Sequence, residues 1–125
     1  MRALSVKQPW ASLIISGRKT LEVRSWSTNY RGPIIVCASA APDRARGMAL
    51  LTGDECLGHA VGIVELVGVR EGRSEDATRA LVDPTGLLVW ELACATPIKP
   101  VRVLGKLGLW RPGKCLVRAV TQSVV

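Results

Sequence analysis

The segment from His59 to Arg70, HAVGIVELVGVR, is the feature that most constrains the fold. It is long enough for an extended strand and rich in valine and isoleucine, and two glycines, Gly62 and Gly68, fall inside it. Glycine within a strand marks a bulge or the tight bend of a small barrel. Strand patterns also cover Leu4 to Val6, Leu21 to Trp26, Ile34 to Ala38, Leu87 to Ala95, Ile98 to Leu104 and Cys115 to Val120. Helical patterns are short: Pro9 to Ser16, Pro42 to Leu51 (weakened by Gly47) and Ser74 to Leu81. No strand–helix–strand rhythm repeats. The expected class is mainly β (α+β). The expected architecture is a small, mostly antiparallel barrel of six or seven strands with two or three short helices at its edge, in one domain over residues 1–125.

Composition agrees with a sheet. Hydrophobic residues make up 48% of the chain and none of them is Phe, so the core is built from Val, Leu, Ile and Ala. No apolar run is long enough to cross a membrane, and Met1 to Val6 lacks the long apolar region of a signal peptide, so the expected location is the cytoplasm. Cys37, Cys56, Cys94 and Cys115 are widely spaced and read as free thiols. With His59 as the lone histidine, no metal set can be assembled, and no cofactor is expected.

The net charge of +7 is unevenly distributed. Residues 1–31 carry six Lys/Arg against Glu22 alone, residues 32–91 carry five against nine acids, and residues 92–125 carry six against none. If the two ends of the chain adjoin, one side of the domain is strongly basic and attracts a polyanion. A basic composition that serves solubility alone is the other reading.

The block from Pro9 to Pro33 concentrates the chemistry. A two-turn helix ends at Gly17, where a C-terminal glycine belongs. Lys19 follows, then a strand whose alternation sets Leu21 and Val23 on one face and Thr20, Glu22 and Arg24 on the other. Trp26 shares that second parity, and Asn29 to Pro33 forms a turn carrying Tyr30 and Arg31.

These residues resemble the ASCH domain, a β-barrel family related in fold to the PUA domains of RNA-modification enzymes. The resemblance rests on Gln8-Pro9-Trp10-Ala11, on Gly17-Arg18-Lys19-Thr20-Leu21-Glu22-Val23-Arg24, and on Ser25-Trp26 followed by Tyr30-Arg31-Gly32-Pro33. Further on, Gly86, Trp90 and Leu92 match, then Pro97 and Pro100, then Gly105, Gly108 and Trp110. It implies a cleft lined by the Lys-Thr-x-Glu-x-Arg segment and suited to a nucleotide or single-stranded nucleic acid. Family members have been linked to RNA binding, to DNA binding in coactivators, to ribonuclease activity and to hydrolysis of acetylated cytidine. This chain departs from the acetylcytidine amidohydrolases, which have Thr in place of Glu22 and use a later Glu; Glu71 and Glu75 are the nearest counterparts, with no motif around them. It also has Cys37-Ala38 where related chains show His-Ala.

The expected function is a nucleic-acid-binding module for RNA, single-stranded DNA or a nucleotide-like ligand. Its binding residues would be Lys19, Thr20, Glu22, Arg24, Trp26, Arg31, Lys106 and Arg111. Arg and Lys would pair with phosphate, and Trp26 would stack on a base. Trp10 reads as core or cleft wall, Trp90 as core, and Trp110 as either. The loop Gly105 to Gly113 permits close approach to a sugar–phosphate backbone but lacks a Walker pattern. Two alternatives stay open: a hydrolase of RNA or a modified nucleoside with Lys19 and Glu22 as its acid/base pair, and a protein-interaction domain whose basic face meets an acidic partner.

Overall fold

The computed structural model describes residues 1–125. In chain order the elements are β1 (Arg2–Val6), α1 (Trp10–Ile15), β2 (Leu21–Arg24), β3 (Gly32–Ala38), β4 (His59–Glu71), α2 (Ala77–Ala80), β5 (Leu88–Arg102), β6 (Leu109–Trp110) and α3 (Lys114–Gln122). Short 3-10 turns lie at Met48–Leu50 and Ser74–Asp76. The six strands form one sheet in the order β2-β5-β4-β3-β1-β6. β1 and β3 pair in parallel, and every other pairing is antiparallel. The sheet curls into a half-barrel, so that Arg24 on edge strand β2 reaches the Ser5 carbonyl of β1 with Nη2 at 2.9 Å.

Strand β3 explains why its sequence is apolar without alternation. Ile34 and Val36 point into the main core with Leu4, Val6 and Trp90, where Trp10, Ala11 and Ile14 of α1 cover them. Ile35 and Cys37 point the other way, into a second cluster closed by Val120 of α3. A strand covered on both faces has no wet positions to alternate with. Burial pushes the Cys37 thiol up to about 12, so it is an inert hydrophobe. All four thiols are free.

Gly62 serves both purposes that a strand glycine suggests. The β4–β5 register shifts between Ala60 and Gly62, and a β-carbon at Gly62 would meet Ile15 Cδ1 and come within 2.7 Å of the Thr96 carbonyl oxygen. The bulge thus bends the sheet and also lets α1 sit close upon it.

Three sequence expectations are corrected. The segments Leu87 to Ala95 and Ile98 to Leu104 are one strand, β5, continuing through a bend where Cys94 adopts φ 55°. Pro97 and Pro100 are tolerated at the β4–β5 bulge, where Ala60 pairs Val101 and Gly62 pairs Pro97, and where the outer edge of β5 meets only the bridge from Ile98 to Val124. Cys115 to Val120 is not a strand but part of α3. Leu116, Val117 and Val120 recur at helical spacing and pack against Ile98 and Val101, a pattern that overrides the β propensity of the valines. Pro42 to Leu51 is a turn followed by the 3-10 segment, because Asp43 folds back to accept from the amides of Ala45 and Arg46 at 3.1 and 3.0 Å. No helix is long and apolar enough to cross a membrane.

Candidate functional site

The site begins with the N-terminus of α1. The Gln8 side chain is fully buried, its Oε1 accepts from the Ser12 amide at 2.9 Å, and its Nε2 donates to Ser12 Oγ at 2.8 Å and to the Cys56 carbonyl at 2.9 Å. One amide side chain therefore satisfies an orphan helix donor and ties down the 39–58 loop. That loop is fastened again by the Asp43 amide donating to the Gln8 carbonyl at 2.7 Å, and by Trp10 Nε1 donating to Asp43 Oδ2 at 2.9 Å. The indole hydrogen bond, with the backbone amides, holds the Asp43 carboxyl below the usual carboxylate range.

At the other end of α1, Gly17 takes φ 84° and turns the chain inward. Lys19 is consequently buried, with 2% of its surface exposed. Its Nζ donates to the carbonyl of Ala80, the last residue of α2, and sits 3.8 Å from Glu22 Oε1 and 4.9 Å from the centroid of the Trp10 ring. Burial lowers the Lys19 pKa below its ordinary value, Glu22 opposes that shift, and Arg24 adds to it. Glu22 is the hub: its Oε2 accepts from Arg24 Nη2 at 2.8 Å and Nε at 3.1 Å, and its Oε1 accepts from the Val23 amide at 3.2 Å. With the Ser5 carbonyl on Nη2, Arg24 keeps Nη1 free of any protein partner. No buried side-chain nitrogen or oxygen lacks a hydrogen bond.

These residues border an open cleft of about 290 Å³. Lys19, Glu22, Arg24 and Trp10 form its floor and one wall, β1 adds Ser5, the 39–47 loop adds Ser39, Asp43 and Arg46, and Leu107 with Gly108 closes the far side. Four cations (Lys7, Lys19, Arg24, Arg46) face two acids (Glu22, Asp43), which leaves the cleft net positive. Trp10 fulfils both readings made of it, since it belongs to the core and lines the cleft.

Lys19, Glu22 and Arg24 thus meet; the other expected site residues lie elsewhere. Thr20 faces away and its Oγ1 accepts from Arg79 Nε at 3.2 Å. Trp26 packs edge-on against Trp90, with centroids 4.8 Å apart at 82°, and is drawn into the core instead of the cleft. Alternation stops at Arg24, where β2 ends, so parity no longer governs Trp26. Arg31 is exposed and spends its Nη1 on the carbonyls of Thr28 and Tyr30. Lys106 borders a neighbouring pocket, Arg111 lies on the surface outside the cleft, and Trp110 packs with the second core cluster. The carboxy-terminal third contributes Leu107 and Gly108 to the cleft but none of its charges. Neither Glu71 nor Glu75 lines it. Sequence reasoning missed Ser5, Lys7, Ser39, Asp43 and Arg46; the turn signal at Pro42-Asp43 was the available clue to three of them.

The ASCH domain model matches residues 4–102, and the chain belongs to that family. Human Activating signal cointegrator 1 is 54% identical over 37 residues, which is 30% of this chain, and the mouse protein of the same name is 50% identical over 36 residues, 29% of this chain. The matched stretch spans only 6% of the length of either relative. Among solved structures, ASCH from Zymomonas mobilis superposes with a TM-score of 0.70 at 15% identity, over 99% of this chain and 95% of that one. A mutant form of the same protein gives 0.69 at 15% identity, over 99% and 98%. At these identities the likeness is one of fold.

Proposed function

We propose that this chain is a nucleic-acid-binding module for RNA or single-stranded DNA, seating a nucleotide in the cleft above Lys19, Glu22 and Arg24. The observation that carries this reading is the composition of the cleft: a net positive hollow whose inner charges are fixed by one another and whose outer cations are free. Lys7 and Arg46 are exposed at its rim and suit phosphate capture, whereas Arg24 Nη1 and the Glu22 carboxylate suit the edge of a base. A volume of about 290 Å³ lies at the small end of ligand pockets, which run from about 300 to 1,000 Å³, and fits a single splayed nucleotide better than a duplex. Family membership supports association with nucleic acid, and the four free thiols support a reducing compartment such as the cytoplasm.

Fluorescence anisotropy with a labelled single-stranded oligoribonucleotide across a range of salt concentrations tests this reading. Binding is expected to weaken steeply with salt, and Lys7→Ala and Arg46→Ala are each expected to reduce affinity across sequences and to lower the salt slope by about 1. Salt-insensitive binding, or rim variants that bind like the parent protein, would refute it.

One observation favours a hydrolase as a second reading. Lys19 is buried, has a lowered pKa and stands 3.8 Å from a carboxylate, as an acid/base pair requires. Turnover of RNA or of an acylated nucleoside, abolished by Glu22→Gln in protein that remains folded, is its signature.

A further inference from the structure

We infer that the bound strand occupies two adjoining pockets, so that the smallest full ligand is a dinucleotide and the second nucleotide is held by the 103–107 loop. This rests on the nucleic-acid reading above and goes beyond it to the length and register of the ligand. A second pocket of about 350 Å³ lies beside the cleft and shares Ser5, Ser39 and Leu107 with it. The two hollows therefore meet along one wall, as consecutive nucleotides of one strand would require.

The chemistry of the second pocket differs from that of the first. Its walls are mainly aliphatic, with Val103, Leu104 and Leu107, and Lys106 is its only charged residue. Leu104 is 91% exposed and Leu107 is 98% exposed. The loop that carries them is held down, because Ser5 Oγ donates to the Lys106 carbonyl at 3.1 Å and a β-carbon at Gly105 would come within 2.7 Å of that same hydroxyl oxygen. The two leucines are thus presented to solvent by a pinned backbone on either side of a lysine. That arrangement offers an apolar surface to the face of a base and a cation to the phosphate beside it. The Ser39, Gly58 and Val103 amides around the pocket already donate within the protein, to the carbonyls of Val6, of Ala38 and Ser39, and of Gly58. Burial against Val103, Leu104 and Leu107 holds the second base. The occupant is a nucleotide and not a separate apolar ligand, since the pocket opens into the cationic cleft and carries a cation of its own.

Calorimetric titration with 5′-phosphorylated mono-, di- and trinucleotides of one base at fixed ionic strength tests the inference. The dinucleotide is expected to bind at least about tenfold more tightly than the mononucleotide, and the third nucleotide is expected to add less than the second. Leu104→Ser and Lys106→Ala, both on exposed positions and both checked for unchanged circular dichroism, are expected to cut the one-to-two step by at least about fivefold. A mononucleotide that binds as well as the dinucleotide, or a step left intact in both variants, overturns the two-pocket assignment while leaving the cleft reading standing. Failure of every nucleotide to bind removes the cleft reading itself, and the assignment with it.

Discussion

Glu22→Ala is expected to lower the stability of the folded protein by about 3–5 kcal/mol, the range for removing one partner of a buried ion pair. The carboxylate is 6% exposed and serves two cations, of which Lys19 is itself buried. Without Glu22, the Lys19 ammonium keeps only the Ala80 carbonyl and the Trp10 ring, and Arg24 loses both hydrogen bonds to Oε2. Urea denaturation is the measurement, and the midpoint should fall with the slope unchanged. Lys19→Met in the Glu22→Ala background should recover part of the loss, because it removes the stranded charge.

The same group sets a pH signature. Since the folded Lys19 binds its proton less tightly than the unfolded one, the unfolded state holds more protons between the lowered value and 10.5. Stability therefore gains an upward contribution as pH rises through that window, and below it the cost of keeping a buried ammonium is fully present. Lys19→Met should abolish this contribution, and Glu22→Ala should extend it to lower pH.

The second large effect belongs to Trp90. Its side chain is fully buried, it stands opposite Glu22 on β2 and Val69 on β4, and its Nε1 donates to the Trp26 carbonyl at 3.2 Å. Trp90→Ala should cost about 3–5 kcal/mol in chemical denaturation, combining the lost burial with the cavity left behind. Trp90→Phe keeps much of the volume and forfeits the hydrogen bond, so it should cost less, about 1–3 kcal/mol with the Trp26 carbonyl left unsatisfied. A Trp90→Ala protein as stable as its parent would mean that the Trp26–Trp90 contact does not close this end of the core.

The sequence was most legible where local chemistry decides the structure. Gly17 stops α1, Lys19 follows it, and the alternation of β2 puts Glu22 and Arg24 together. Legibility failed where a distant partner decides. Trp26 continues the parity of Arg24 on paper, but Trp90, 64 residues away, claims it for the core. The valines of α3 have β propensity, and only the apolar groove beside Ile98 and Val101 shows that their helical spacing matters more. The basic run of the last third suggested a strongly basic side shared by the two chain ends, and β6 does bring that segment beside β1. Pairing delivers Leu107 and Gly108 to the cleft, while the cations of the rim come from Lys7 and from Arg46 on a loop held by Gln8 and Trp10. A register seen in one strand cannot reveal a loop fastened by hydrogen bonds from another part of the chain.

The central claim is that nucleic acid enters the cleft above Lys19, Glu22 and Arg24. Its most direct test is a nuclear magnetic resonance titration of isotope-labelled protein with a short single-stranded oligoribonucleotide. The predicted result is perturbation concentrated at Lys7, Ser39, Arg46 and Leu107 and at the Trp10 indole N–H, with the amides of Lys99, Arg102, Lys114 and Arg118 unmoved. Perturbation centred on those last four residues, with the Trp10 indole unchanged, would contradict it.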